Sequence, residues 1–296
     1  MLYIKLIGIG YSGREVIRRM QKLEITGFEY WLVDSDLNCI NEAFYINNKM
    51  LLGDGETTSG NSSYGERLTE IAFTEIERAI EGADVLFIVT GMGGETGTAV
   101  SPIIAEIANG LGILSISIVT TPFSFEGHSR RNSATWGLEK LKKVPGLVIE
   151  ITNDKLLPYI DRRCSLRESF IVCNEIMMES VLCVTKNIVN LCNTTIGIIE
   201  KARIIKPPKD LAVGIGRSYD LEQAIRNAIC SSFCKSHIDQ ASYILMNISW
   251  TKDLRQDQDS AIMMAKKYFN QDTKIIVGFS VNNSDEDITV RILAIF

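Results

Sequence analysis

Short apolar runs alternate with amphipathic stretches through the first half of the chain. Five runs rich in apolar residues are predicted to be β-strands, because each is short and bounded by turn residues. These strands cover Tyr3–Ile9, Phe28–Val33, Asp84–Thr90, Ile113–Thr120 and Leu147–Thr152. Apolar positions at helical spacing predict helices at Arg14–Leu23, Glu66–Glu81, Pro102–Leu111 and Arg131–Leu141. The polar stretch 53–65 is predicted to be a loop. Strands that alternate with helices favour an α/β fold with a parallel sheet covered on both faces.

The second half of the chain has a different pattern. It begins with one long apolar-rich helix from Ser165 to Leu191, about 40 Å at 1.5 Å per residue. Shorter helices are then predicted at Asp220–Ser232 and Ser260–Phe269, and strands at Ser242–Trp250, Lys274–Val281 and Ile288–Phe296. The polar residues 282–286 predict a hairpin between the last two strands. We therefore expect three parts: a domain at 1–164, a central helix at 165–191 and a smaller α+β domain at 192–296.

Composition and charge narrow the class of protein. The chain has 296 residues, 46% of them hydrophobic and 23% charged, as is typical of a folded protein. A net charge of −5, with no basic stripe, gives no electrostatic case for nucleic-acid binding. We find no apolar run long enough to span a bilayer, and we expect no signal peptide and, unless a native tail was trimmed, no membrane tether. A cytoplasmic location is expected, or an organelle stroma if a native targeting segment was removed.

The cysteines and histidines do not predict a metal site. Seven cysteines, an odd number and scattered, indicate reduced, cytosol-like usage. Cys230 and Cys234 could share a helix face, but the chain has two histidines and neither lies near a second pair of cysteines, too few ligands for a typical zinc site.

A glycine-rich stretch, Gly91–Val100, directly follows a predicted strand and precedes a predicted helix. The first turn of a helix leaves N–H groups free, and the helix dipole favours negative charge there. Glycines allow close approach of a phosphate, and Thr96 and Thr98 add hydroxyl donors. We interpret this stretch as a phosphate-binding loop; the alternative is a plain glycine-rich connection.

A second glycine motif, Gly8–Gly13, has the pattern G-x-G-x-x-G between a strand and a helix. Asp34 and Asp36 follow at the end of the next strand, so the motif alone fits a dinucleotide-binding site and an NAD-dependent dehydrogenase. That fold needs one glycine loop, whereas this chain has two. Moreover, no His, Tyr or Lys downstream forms an obvious hydride-transfer group, and the dehydrogenase stays a remote alternative.

Four motifs in order resemble the tubulin/FtsZ family. The stretch Ile4–Gly10 resembles the first strand and loop of FtsZ, and Gly91–Ala99 is similar to the signature GGGTGTG. The stretch Thr121–Arg130 resembles the segment P-F-x-F-E-G-x-x-R, and Ile151–Leu157 matches the run N-D-K-L-L. Phe170 and Asn174 lie four apart on the long helix.

The resemblance implies a tubulin/FtsZ-like fold: a Rossmann-type parallel-sheet GTPase domain, a long central helix and a smaller α+β C-terminal domain. It implies GTP or GDP as the ligand, with Mg²⁺ present only on the nucleotide phosphates and with no protein metal site. The implied phosphate loops are Gly8, Gly10 and Gly13, and Gly93, Gly94, Thr96, Gly97 and Thr98; Asp36 completes this side of the site. The resemblance further implies that Glu126 and Arg130 hold the ribose and phosphate region. It places Phe170 to stack on guanine and Asn174 to bind its edge.

Departures from the family pattern also carry information. Tyr11, Ser12 and Arg14 stand in the first loop where relatives have glycines, and Glu15 stands where they usually have Asn. In the signature loop, Glu95 and Ala99 replace two glycines. A carboxylate beside a phosphate is repelled by roughly 1 kcal/mol or more where no Mg²⁺ or arginine intervenes. Weaker or altered nucleotide binding is therefore our hypothesis.

The loop after the long helix differs most from the family pattern. In this family it carries two acids toward the γ-phosphate of the neighbouring subunit, in the pattern N-x-D-F-A-D-V. Here Asn193 is kept, but Thr195 and Ile198 stand in the places of the acids, and neither can act as a base. We therefore predict head-to-tail filaments, in cell or organelle division, with weak or absent GTP hydrolysis. The alternative is a non-catalytic pseudo-GTPase that regulates or caps the filaments of another FtsZ-family protein.

Overall fold

The computed structural model describes residues 2–53, 72–161, 163–189, 210–231, 233–234, 237–250, 258–281 and 288–296. The chain folds into two compact units, 1–178 and 179–296. Their boundary falls inside the long helix that the sequence predicts. Within the described ranges, we find no helix with the length and apolar character needed to cross a membrane.

Unit 1 is built from alternating strands and helices. In chain order these are β1 (Ile4–Ile9), α1 (Gly10–Lys22), β2 (Glu29–Asp34), α2 (Leu37–Glu42), β3 (Asn48–Leu51), α3 (Phe73–Ile80), β4 (Val85–Gly91), α4 (Glu95–Gly110), β5 (Leu114–Thr121), α5 (His128–Lys143), β6 (Leu147–Thr152) and α6 (Leu166–Val189), which crosses the unit boundary.

The sheet of unit 1 is parallel, with the strand order β3-β2-β1-β4-β5-β6. Every residue of β1 is buried, as expected of a strand whose two faces are covered by helices. The order reverses between β1 and β4, because β2 lies on one side of β1 and β4 on the other. In such sheets, ligands bind beyond the carboxyl ends of the strands at this reversal.

Unit 2 holds a four-stranded sheet. It contains β7 (Asp210–Ser218), α7 (Leu221–Cys230), β8 (Tyr243–Trp250), α8 (Gln258–Lys266), β9 (Lys274–Val281) and β10 (Ile288–Ile295). The strand order is β7-β10-β8-β9; β10 is antiparallel to β7 and β8, while β8 and β9 are parallel.

Three sequence expectations about elements are wrong. The predicted hairpin between β9 and β10 does not form, because β10 inserts between β7 and β8 and β9 pairs with the far side of β8. Helix α4 begins at Glu95 rather than Pro102, and α1 begins at Gly10 rather than Arg14. In both helices, glycines and other weak helix formers fill the first turns, so packing decides the start where propensity does not. The sequence patterns also missed α2, β3 and β7.

Candidate functional site

A cavity of about 550 Å³ lies at the carboxyl ends of β1, β2, β4 and β5 in unit 1. Its volume falls within the range typical of small-molecule sites, roughly 300–1,000 Å³. Both glycine loops border it, because one follows β1 and the other follows β4 at the reversal of strand order. Predicted site residues that line the cavity are Gly10, Asp36, Gly94, Thr96, Gly97, Glu126, Arg130, Phe170 and Asn174.

The first glycine loop is divided between lining and packing. Gly10, with a positive φ of 69°, opens helix α1, and Tyr11, Ser12 and Arg14 line the cavity. Gly8 and Gly13 are not among the lining residues. A Cβ added to Gly8 would lie 2.6 Å from the carbonyl oxygen of Gly13, so the two glycines let α1 pack directly on β1. The expected cradle role of Gly8 and Gly13 is thus replaced by close helix–strand packing.

The signature loop presents the start of helix α4 to the cavity. Gly94 is the N-cap residue, and Glu95, Thr96 and Gly97 form the first turn and line the cavity. The N–H groups of a first helical turn are free of helical partners and attract anions. The stretch thus lies between a strand and a helix start, as the sequence predicts, and its binding of phosphate stays a prediction.

Thr98 and Gly93 support this loop from behind and do not line the cavity. The Thr98 side chain is buried, and its hydroxyl accepts a hydrogen bond from the Gly93 N–H at 2.8 Å. Gly93 has a φ of 96°, a conformation that glycine adopts without strain. The Thr98 oxygen thus bonds the loop's own backbone, and the role of Thr98 as a phosphate ligand stays a prediction.

The acids after β2 are held by local hydrogen bonds. Asp36 caps helix α2 by accepting from the Asn38 N–H at 2.8 Å. Asp34 is buried and accepts a hydrogen bond from the Asp36 N–H. The hydroxyl oxygens of Ser35 and Thr96 lie 2.8 Å apart and share a second hydrogen bond. Burial raises the pKa of Asp34, although hydrogen bonds from Cys39 and from the backbone partly oppose that shift.

Glu126 and Arg130 form one ion pair at the wall near β5. Glu126 accepts from the Phe123 N–H at 2.7 Å, and its other oxygen lies 3.1 Å from Nη1 of Arg130. Little of the Glu126 side chain is exposed, whereas that of Arg130 is half exposed. The carboxylate is thus fixed in place, while the guanidinium reaches solvent at the cavity.

The opposite wall comes from helix α6. Phe170 and Asn174 lie one helical turn apart and both line the cavity; Asn174 is buried and Phe170 is partly exposed. The Phe170 ring lies 5.9 Å from that of Phe123. An aromatic face beside a buried amide suits a planar heterocycle with donors and acceptors on its edge.

Two further residues were not predicted as ligands. Asn153 lines the cavity, and its Oδ1 atom is buried without a hydrogen-bond partner in the described part of the chain. Arg14 also lines the cavity, and its Nε atom is likewise buried without a hydrogen-bond partner among the described residues. The signal for Asn153 was present in the N-D-K-L-L motif, whose first residue it is. Buried polar groups are normally paired, so these two atoms fit a ligand that carries both donors and acceptors.

Charge in the lining is mostly negative. Five acids line the cavity, against the two arginines Arg14 and Arg130; the acids are Asp34, Asp36, Glu42, Glu95 and Glu126. Glu15, by contrast, is not a lining residue and pairs with Arg18 at 2.6 Å. Within the described ranges, no group of three or more His, Cys, Asp or Glu side chains is placed to hold a metal ion. The loop residues Asn193, Thr195 and Ile198 lie outside the described residues.

Comparison with known proteins adds three findings. The family profile described as "Tubulin/FtsZ family, GTPase domain" matches residues 3–161. The chain is similar to the cell division protein FtsZ of Mycoplasmopsis pulmonis (strain UAB CTIP), at 33% identity in an alignment of 303 positions that covers 98% of this chain and 76% of that protein.

Solved structures give the third finding. An empty FtsZ dimer from M. jannaschii matches with a TM-score of 0.89 and 25% identity, over 100% of this chain and 88% of that one. CetZ2 from Haloferax volcanii, described as a GTPgS-bound protofilament, matches with a TM-score of 0.80 and 17% identity, over 99% and 92%. The second likeness is one of fold alone.

Proposed function

The chain belongs to the tubulin/FtsZ family, and from this premise we propose that it binds guanine nucleotide and assembles head-to-tail into filaments in cell or organelle division. Its Mycoplasmopsis relative is named a cell division protein, and its structural relatives include a dimer and a protofilament. The fold is that of the family, a mixed α/β structure with a largely parallel sheet.

One observation carries the proposal: parts of the chain that are far apart in sequence meet around one cavity at the reversal of strand order. The two glycine loops, the pair Glu126–Arg130 and the pair Phe170–Asn174 all line it. A phosphate loop, a polar wall for a sugar and an aromatic–amide wall for a base are the parts that a nucleoside phosphate needs.

Each wall has a separate task in binding. The first turn of α4, with Thr96, would receive phosphate oxygens through N–H and hydroxyl donors. Phe170 would stack on the base, and the Asn174 amide would pair with its edge. Glu126, fixed by the Phe123 N–H, would accept from a ribose hydroxyl. Mg²⁺ would be bound through the phosphates.

Hydrolysis is proposed to be slow or absent. Phosphoryl transfer needs a group that positions the attacking water, and the family takes it from the acids of the next subunit. Thr195 and Ile198 stand at those positions by motif alignment, and neither side chain carries a base. A filament of such subunits would keep its nucleotide and turn over slowly.

Assembly and hydrolysis can be measured together. Light scattering and negative-stain microscopy with GTP report filaments, and a phosphate-release assay reports turnover. Filaments with little phosphate release support the proposal. Turnover at a rate typical of the family would contradict the loss of hydrolysis.

A regulatory pseudo-GTPase is the second candidate, favoured by the same missing acids. A subunit without them would not trigger its neighbour's hydrolysis, which suits a cap on the filaments of another FtsZ-family protein. Absence of self-assembly, together with binding to such filaments, would favour this candidate over the first.

A further inference from the structure

A buried guanidinium forms part of the cavity wall where the family pattern has glycine. Arg14 lies on α1, and only 9% of its side chain is exposed. Its Nη1 atom lies 2.6 Å from Glu42 Oε2, and its Nη2 atom lies 3.5 Å from Glu15 Oε1. The Nε atom is buried and has no hydrogen-bond partner among the described residues. The two Nη atoms of the guanidinium are therefore paired with carboxylates, whereas its Nε–H group has no hydrogen-bond acceptor among the described residues.

The residues that hold Arg14 differ in how firmly they are fixed. The Tyr11 ring lies 4.9 Å from the guanidinium carbon and limits its movement. Glu42, on α2, is the closest ionic partner, yet 68% of its side chain is exposed. An exposed carboxylate regains its solvation when its partner leaves it, so another anion can replace Glu42 as long as the buried guanidinium keeps a partner.

The negative charge of the cavity lining makes a buried cation there important for binding a phosphate. Five acids line the cavity, so a nucleotide phosphate would meet a negative wall. The second lining arginine, Arg130, is half exposed and pairs with Glu126. Arg14 is the lining cation that is most deeply buried, and a charge exerts most force where water is excluded.

We propose that Arg14 is a phosphate ligand of this cavity, and that Glu42 occupies its guanidinium until a nucleotide phosphate takes that place. The inference rests on the proposed nucleotide site. A carboxylate and a phosphate offer similar paired oxygens, which the planar guanidinium fork binds with two donors. The exchange also gives Nε a partner, and Arg14 offsets the carboxylate that Glu95 adds to the signature loop.

The test compares ligands that differ in phosphate. Affinities for GDP and for guanosine are measured by calorimetry or by competition with a fluorescent guanine nucleotide, for the wild type and Arg14→Gln. We expect about a 10-fold or larger loss of GDP affinity, the size for a charge-assisted hydrogen bond, and little change for guanosine. Arg14→Lys keeps the charge without the fork and should recover part of the loss.

A double-mutant cycle tests the part played by Glu42. Because Glu42→Gln removes the competing carboxylate, GDP binding should tighten by about 3-fold or more. In the Arg14→Gln background, the same change should have no effect on GDP affinity. Arg18→Gln is the matched control, since Arg18 also pairs with Glu15 on α1 but does not line the cavity. It should bind GDP as the wild type does.

Each failure has a distinct meaning. A wild-type protein that binds no guanine nucleotide contradicts the proposed function itself. A wild type that binds GDP, with Arg14→Gln binding equally well, overturns the role of Arg14. Equal losses for GDP and guanosine also overturn it, because they indicate a structural effect. If Glu42→Gln tightens binding equally in both backgrounds, Glu42 is not the competitor.

Discussion

The packing of Gly8 against Gly13 leads to a prediction about stability that separates two roles for the first glycine loop. Gly13→Ala adds one methyl group inside helix α1. That Cβ would lie 2.5 Å from the Gly8 carbonyl carbon and 2.7 Å from the Val89 carbonyl oxygen. Both are backbone atoms of the central strands, which cannot rotate away, so α1 must move off the sheet.

The expected magnitude follows from two opposing terms. Overpacking of this kind costs about 1–3 kcal/mol, and rigid backbone neighbours favour the upper part of that range. Alanine is a better helix former than glycine by about 1 kcal/mol, which offsets part of the cost. The net loss is about 1–2 kcal/mol, equivalent to a fall in Tm of about 2–8 °C for a unit of this size.

The assay is thermal and urea unfolding of the nucleotide-free protein. Gly110→Ala is the matched control: it is also a helical glycine, but no atom lies within 4 Å of its added Cβ. It should leave Tm unchanged or raise it slightly. If Gly13→Ala keeps the wild-type Tm and loses only nucleotide affinity, the reasoning is refuted and Gly13 is a phosphate ligand.

Three further predictions concern the cavity. Glu95→Gln removes a carboxylate from the phosphate side and should tighten GDP binding about 5-fold, from roughly 1 kcal/mol of repulsion; unchanged or weaker binding in a titration would contradict this. Phe170→Ala should weaken GDP and guanosine alike, by about 10-fold, through lost base stacking; a loss confined to GDP would argue against a base contact. Burial raises the pKa of Asp34 above 3.8, so its ionised form costs stability as pH rises through the folded-state pKa. In urea unfolding, the stability of Asp34→Asn relative to the wild type should therefore rise as pH increases from 3.8 through the folded-state pKa; a relative stability that falls over this rise in pH would refute the sign.

Periodicity located the central strands well and the short elements poorly. Strands β1, β4, β5 and β6 are short runs rich in apolar residues, and their predicted bounds agree with the observed ones within one residue. The four-residue strand β3 and the six-residue helix α2 are too short to show a period. Strand β7 contains Gly214 and Gly216, which weaken a strand pattern although they pack against helix α7.

Pairing between distant strands could not be inferred from local sequence. The polar residues between β9 and β10 are those of a hairpin, yet β10 pairs with β7 and β8. A turn sequence indicates that the chain reverses, but the partner of the next strand depends on the whole sheet. The start of α4 likewise depends on packing against β4, because Thr and Gly are weak helix formers.

Motif spacing predicted which parts of the chain would meet, but not which atoms would face the cavity. Phe170 and Asn174 line it, as do Glu126 and Arg130, and their roles in binding stay predictions. Whether Thr98 points inward or backward depends on one hydrogen bond to Gly93, which no pattern reveals. The unpaired atoms of Arg14 and Asn153 likewise become visible only when burial is known.

The central claim is that this cavity selects a guanine nucleotide. The most direct measurement equilibrates the protein with an equimolar mixture of GTP, ATP and NAD, separates bound from free ligand by ultrafiltration, denatures the protein and identifies the released nucleotide. The account predicts guanine nucleotide in excess over the other two. Retention of adenine nucleotide or NAD in preference, or of no nucleotide at all, would contradict it.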